Sequence, residues 1–597
     1  MIKSLFYDIS NGFRINWKAS KQYAIYNLAL SLVLSLLPLL SLWYIKEIID
    51  IVTQYQQAGR TDFIYALITL VIIQLLQAGI QQVLTDIQTV QQQLVIDYLS
   101  TRVLTKAVSV DYPYYEKSEY FNSLHLAQQQ VMYHAGVLTT SYNQIIQSGF
   151  SMLALCIIFI QFNIVYGLLV LIASVPVLLI KYKHAKAIQQ LEKENIVNER
   201  KAHYLSRILT DATHAKEVRT FSYGNFFIDK FRDLREKIFW GKKRLSANQA
   251  WSETIIQAIE ILILAAIILH LGLSTLDGLI TAGSFVFYLQ ALQRIQSVFK
   301  TFLNSFILLF KQRFFLINIK NFLELPSFQK KNEHSSSSIF PDKLQQGIQL
   351  QNVSFTYPEA VQETLTNLNM QFLPGKVTAI IGENGSGKST LVKLLANLYT
   401  PASGNIAVED ISIANIDNES YYKNVAVIFQ DFNQYHFSAE ENILLGHPSD
   451  IEKMNNAETE ADLKTLISKM PEGYKTALGK MFGNDMQLSG GQWQKIALAR
   501  MLYRNAQVMI LDEPTSNIDP LAEYEILQKI TEKKKDKIII LITHRLHNLK
   551  FADHIYLMDN GEVHGEGTVN ELLATNPLFK QMYERQELEK GFFKLNA

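Results

Sequence analysis

The sequence predicts two fold classes in tandem. The first is an all-α transmembrane domain of six spans with long cytoplasmic helical extensions. The second is an α/β domain built around a glycine-rich loop. Three observations carry this reading. Six apolar runs, each long enough to cross about 30 Å of hydrocarbon, lie before residue 312. The composition then changes after Leu325-Pro326, and short apolar runs alternate with helical patterns. One of those helical patterns opens on Gly382–Ser389, GENGSGKS.

The composition limits the class. Hydrophobic residues make up 48% of the 597 and charged residues 19%, below the roughly 25% of soluble domains. A disordered, collagen-like or disulfide-rich chain is excluded, and a part-membrane, part-soluble chain fits. The net charge of +1 gives no bias toward nucleic acid. One cysteine, Cys156, excludes an intramolecular disulfide, a zinc cluster and a redox pair. It sits in LALCIIFI and reads as a small packing residue.

The membrane domain is expected over 1–325, with spans at about 23–45, 63–84, 144–162, 164–180, 251–273 and 282–309. A tiny loop at Asn163 joins the third and fourth. Several runs lack a polar face, which argues against core helices of a soluble protein. The first run starts too late, is too long and lacks the small-residue end of a cleavable signal. Lys3, Arg14, Lys18 and Lys21 precede the first span, sixteen Lys/Arg lie between Lys181 and Arg244, and Lys311, Arg313 and Lys320 follow the sixth. The opposite loops hold Lys46 and Arg60. The bias places both termini in the cytoplasm of a multi-pass cytoplasmic-membrane protein. Connections 85–143 and 181–250 are polar, rich in Gln, Lys and Glu, and poor in breakers, so the spans should continue as helix. Asp111-Tyr112-Pro113 and Ser222-Tyr223-Gly224 supply reversals, giving two hairpins.

A solvated linker is expected over 326–346, with Lys330–His334 and Ser335–Ser338, and the α/β domain over 347–597. Gly382–Ser389 follows a strand pattern and opens a helix, the context a phosphate-binding loop needs. Gly382, Gly385 and Gly387 let the backbone curl so that N–H groups face phosphate oxygens. Glu383, Asn384 and Ser386 complete the loop, and Thr390 stands at the helix start, where the dipole favours an anion. Lys388 reaches the β/γ-phosphates, and the Ser389 hydroxyl suits Mg²⁺. Val508–Leu511 leads into Asp512-Glu513. A buried strand ending in Asp can hold the Mg²⁺ shell, and the next carboxylate can polarise water.

Leu488–Gln492, LSGGQ, enters a helical stretch, Gln430 follows the strand pattern VAVIFQ, and His544 follows IIILITH. With these, the last 250 or so residues resemble the ATP-binding-cassette (ABC) family, and the whole chain resembles an exporter half-transporter. The resemblance implies that Gln430 touches Mg²⁺ and water and that His544 contacts the γ-phosphate. It implies that Tyr357 stacks on adenine and that Asp519 belongs to a loop crossing between subunits. Leu488, Ser489, Gly490, Gly491 and Gln492 would close on the partner's nucleotide. It also implies short helices at the hairpin tips, near Tyr112–Phe121 and Asp211–Phe221, that dock on cassettes. One cassette per chain implies a second copy; intact catalytic positions favour a homodimer, with a heterodimer as the alternative.

Exporters commonly carry Gly-Glu-x-Gly before LSGGQ, whereas residues 478–487 read LGKMFGNDMQ. This region, FQDF and LSGGQWQKIALAR resemble the lantibiotic-type peptide exporters. The expected function is therefore ATP-driven export of a peptide, one ribosomally made and modified, by alternating access. A lipid or lipophilic-drug flippase is the alternative within the class, and an ATP-gated channel or regulatory subunit the alternative outside it. Gln74, Gln77 and Gln81 share a helix face, Glu260 lies deep in the fifth span, and Gln290 and Arg294 lie in the sixth. Polar groups in a span face the protein or a cavity, which nominates them for the cargo path; an Arg294–Glu260 structural pair is the competing reading.

Overall fold

The computed structural model describes residues 12–53, 59–162, 164–326, 338–358, 360–480, 483, 486–515 and 518–585. The loop residue Asn163, linker residues Lys330–His334 and Ser335–Ser337, and parts of 478–487 lie outside them.

Long apolar runs form helices because a helix pairs its backbone N–H and C=O groups within the segment, and two of these helices carry an internal proline, Pro38 and Pro176. After a short α1 over 12–19, α2 runs Lys21–Thr53, α3 Arg60–Ser109, α4 Tyr112–Tyr115 and α5 Ser118–Phe162. Then come α6 Ile164–Thr210, α7 Ala215–Thr220, α8 Gly224–Leu276, α9 Ala282–Lys311 and α10 Arg313–Leu323. Among the described residues six helices are long and apolar enough to cross a membrane. At 1.5 Å per residue the 50-residue α3 is about 75 Å long, well over twice the hydrocarbon thickness. The polar extensions are thus helical. They reverse at Asp111–Pro113 and around Ser222, whose φ of 57° is left-handed. The first tip helix is shorter than 112–121, because α5 already starts at Ser118.

Leu42, Leu155, Phe159, Ile267, Leu271 and Phe287 pack α2, α5, α8 and α9 together. A buried amide cluster adds directional contacts: Asn27 and Asn143 donate to Gln91 Oε1 at 3.1 and 3.0 Å, and Ser31 donates to Asn27. Leu75 and Leu153 remain two-thirds exposed, as lipid-facing side chains do.

The second unit holds two sheets. The smaller is antiparallel, in the order β2 (Leu365–Phe372), β1 (Ile348–Phe355), β4 (Ser403–Val408), β5 (Ile411–Ser412). The larger runs β10 (Glu562–Gly567), β9 (His554–Asp559), β3 (Val377–Gly382), β8 (Ile538–Ile542), β7 (Val508–Asp512), β6 (Val425–Ile428). From β9 to β6 all pairings are parallel. β3, β7 and β8 are buried throughout, which explains their unbroken apolar sequences. Residues 109–118, which include α4, group with this unit and not with the helices around them. Glu116 accepts from Lys393 at 2.7 Å and from the Tyr399 hydroxyl, and the Tyr112 and Tyr399 rings meet edge to face at 5.7 Å.

Candidate nucleotide site

Parallel strands place their following loops at one sheet edge, so register alone decides which residues meet. Asp512 pairs with Ile542 and Leu511 with Ile428. Glu513, His544 and Gln430 follow these three strand ends within two residues. The glycine loop follows β3, the neighbour of β8 on its other side.

Gly385 and Gly387 have φ of 88° and 96°, and a Cβ on Gly387 would come within 2.5 Å of Leu365. Gly387 caps α11, Lys388–Leu395. Glu383, Asn384, Gly385 and Ser389 are exposed, whereas Ser386 and Thr390 are buried. The Lys388 ammonium donates to the carbonyls of Gly382 and Glu383 at 2.9 and 2.8 Å and to Ser386 Oγ at 3.2 Å. Burial pulls Lys388 below its ordinary range, against the attraction of Glu513 and Asp512.

Glu513 is gripped at both oxygens. Gln430 Nε2 donates to Oε2 at 2.9 Å, and His544 Nδ1 lies 2.9 Å from Oε1. Its backbone sits at φ 47°, uncommon for a residue with a Cβ, and its N–H donates to the Ile542 carbonyl at 3.1 Å. Beside it, burial and the Glu513 charge push the Asp512 carboxyl up to about 6. Ser389, Gln430 and Asp512 offer hydroxyl, amide and carboxylate oxygens, the hard donors that fit Mg²⁺, and a buried carboxylate gains from an adjacent cation.

Tyr357 is half-buried. Its hydroxyl is 3.1 Å from Thr390 Oγ1, its ring meets Tyr399 at 5.5 Å, and the Lys393 ammonium lies 5.4 Å from its centroid. Ser489 caps helix Gly490–Tyr503 through a reciprocal box: Gln492 N–H donates to Ser489 Oγ at 3.3 Å, and Ser489 N–H to Gln492 Oε1 at 2.8 Å. Leu488 is buried, while Ser489 and Gly490 are exposed and Gly491 is half-buried. Asp519 caps helix Pro520–Glu532, accepting from Ala522 N–H at 3.1 Å.

Sequence reasoning missed Glu523. It is fully buried, accepts from Thr515 at 2.6 Å and Asn548 at 2.7 Å, and pairs with Arg545 at 2.5 Å. It therefore ties the segment after Glu513 to the segment after His544. A glutamate inside an amphipathic helix carries no local sign of this role.

The cargo-path candidates do not form one cluster. Glu260 is buried and pairs with Lys300 at 2.5 Å and Gln296 at 3.2 Å. The competing Arg294 pairing is thereby corrected: Gln296 and Lys300 stand four apart on one face of α9, while Arg294, two residues earlier, turns elsewhere and is exposed. Gln74 and Gln81 are exposed, and Gln77 and Gln290 half-buried. Lys181 donates to Asn304 at 2.7 Å.

Comparison with known proteins accords with this geometry. The family model described as ABC transporter matches residues 365–516, and the one described as ABC transporter transmembrane region matches 24–298. The chain is 30% identical over 561 residues to the subtilin transport ATP-binding protein SpaT of Bacillus subtilis, covering 93% of this chain and 90% of that one. It is 28% identical over 601 residues to the nisin transport ATP-binding protein NisT of Lactococcus lactis subsp. lactis, covering 98% of each. Its backbone resembles a bacterial Atm1-family ABC exporter with ATP bound, at a TM-score of 0.78 and 18% identity, over 95% of this chain and 98% of that one. A multi-pass helical domain and an ATP-hydrolysing cassette thus share one polypeptide of exporter fold, and the chain belongs to the ABC transporter family.

Proposed function

We propose that this chain is one half of a homodimeric exporter that moves a peptide out across the cytoplasmic membrane, with both termini in the cytoplasm. The carrying observation is the convergence of Gln430 and His544 on Glu513 at the open edge of the parallel sheet. A carboxylate oriented by two partners is built to receive a proton from water. As that water's oxygen bonds the γ-phosphorus, the bond to the ADP oxygen breaks, and ADP and phosphate leave. Lys388 exchanges loop carbonyls for phosphate oxygens, and Tyr357 offers its ring to adenine. Ser389, Gln430 and Asp512 would hold Mg²⁺, which when bound would neutralise charge on the phosphates. Ser489 and the Gly490 and Gly491 N–H groups, at an exposed helix start, cradle nucleotide bound to the partner.

The peptide cargo is supported by the relatives named for subtilin and nisin transport, which match nearly end to end. The test is ATPase activity of the purified chain in vesicles. The candidate peptide should raise turnover several-fold where lipid A, phospholipid and lipophilic drugs do not. Stimulation by lipid or drug alone would replace the peptide reading with the flippase one.

A further inference from the structure

A cavity of about 380 Å³ lies inside the membrane-crossing unit, among residues with no part in the nucleotide site or the cargo path. α1 contributes Arg14 and Lys18, α3 contributes Tyr98 and Arg102, and α10 contributes Lys320 and Glu324 from just past its end. The floor is apolar, formed in part by the buried Leu99 and Ile319.

The charge is lopsided. Glu324 lies 3.8 Å from Lys320, four residues back along the same helix. Among the described residues no carboxylate lies within ion-pair distance of Arg14, Lys18 or Arg102; Arg102 instead sits 5.8 Å over the Tyr98 ring. Among the described residues three cations therefore ring an apolar pocket without an ion-pair partner, although the chain as a whole is neutral to within one charge.

The α1 wall of the pocket is juxtamembrane, while Arg102 stands 18 residues past Leu84 and so about 27 Å further along α3. Lys18 and Arg14 stand five and nine residues before Tyr23, where the first apolar run begins, so at 1.5 Å per residue they lie within about 14 Å of the hydrocarbon. Their helix also exposes Phe13 and Trp17, stacked at 5.6 Å, the kind of side chain that anchors at a headgroup layer. Basic pockets between helices just outside the hydrocarbon suit phosphate-bearing headgroups, whose acyl chains would extend toward the apolar floor.

We propose that this pocket binds the headgroup of an anionic phospholipid. Full-length protein in neutral detergent is incubated with phosphatidylglycerol or phosphatidylcholine, and retained lipid is counted by native mass spectrometry. Phosphatidylglycerol should be retained at least about tenfold more than phosphatidylcholine. Arg14→Gln with Arg102→Gln should remove about tenfold of that retention, since each cation near the surface supplies roughly a decade or less. The charge-keeping pair Arg14→Lys and Arg102→Lys should retain it, which separates loss of binding from loss of fold, and Lys230→Gln with Arg232→Gln on α8 is the neutral control. Equal retention of the two lipids, or retention unchanged in the glutamine pair, overturns the proposal. Inorganic phosphate at 10 mM displacing all bound lipid would assign the pocket to a free anion instead. Lipid retention requires no transport, so this outcome stands apart from the fate of the peptide reading, and basal ATPase should stay within about twofold in every variant.

Discussion

Glu513 concentrates the chemistry at the scale of one residue. Its carboxylate has a partner on each oxygen and a left-handed backbone to hold it. Glu513→Gln keeps the shape and removes the basic oxygen. ATP binding should persist while turnover falls by at least about a hundredfold, the scale of losing a general base; near-normal hydrolysis would take the role away from Glu513. Much of this site could be read from the sequence, because glycine spacing and strand-ending carboxylates are local signals. The pairing of Glu260 could not. Arg294 and Lys300 are equally plausible cations in a one-dimensional reading, and only the rotation of α9 decides for Lys300.

Helices and strands bring in contacts that local patterns do not encode. Glu523 belongs to helix Pro520–Glu532 but holds Thr515, Arg545 and Asn548 from two other segments. Burial alone would raise its carboxyl; the hydrogen bonds from Thr515 and Asn548 and the charge of Arg545 outweigh burial and hold it below the usual range. A group with a lowered folded pKa stabilises the fold above its unfolded value, about 4.3, and loses that contribution as pH falls through the folded one. Glu523→Gln should therefore cost about 3–5 kcal/mol near pH 7, the scale of leaving a buried charge without its partner. The gap between wild type and variant should narrow as pH falls through the folded value. Urea unfolding followed through Trp493, the cassette's single tryptophan, measures both. A gap that stays constant from pH 7 to pH 3 would show that the charge is not the cause. The long helices themselves were legible, since apolar runs and breaker-free polar stretches announce them. The first tip helix was overdrawn, because nothing in YPYYEKSEYF marks Ser118 as the start of α5.

Across the whole molecule the open issue is which chain completes which nucleotide site. In covalently linked dimers, Lys388→Ala on one half and Ser489→Arg on the other put both lesions into one site and leave the second intact. With both changes on the same half, each site carries one lesion. The split arrangement should trap nucleotide at one site and the same-half arrangement at none. Equal or greater trapping in the same-half dimer would mean that each chain completes its own site, and the case for an obligate dimer would fall with it.

Residues 109–118 belong to the second unit although more than 200 residues separate them from the rest of it. During synthesis their partner Lys393 emerges roughly 275 residues later and Tyr399 soon after. At about 5–20 residues per second, Tyr112 and Glu116 wait some 14–56 s before their partners exist. The first hairpin must therefore be made, inserted and kept from misassociating while its tip has nowhere to dock. The cassette, for its part, meets on its surface a segment synthesised before any of its own strands. Its surface around Phe355, Tyr399 and Lys393 is completed by a peptide made long before. Truncating the chain to its C-terminal half would remove that peptide and uncover the Tyr399 ring and the Lys393 ammonium, although the sequence changes character so sharply at Pro326.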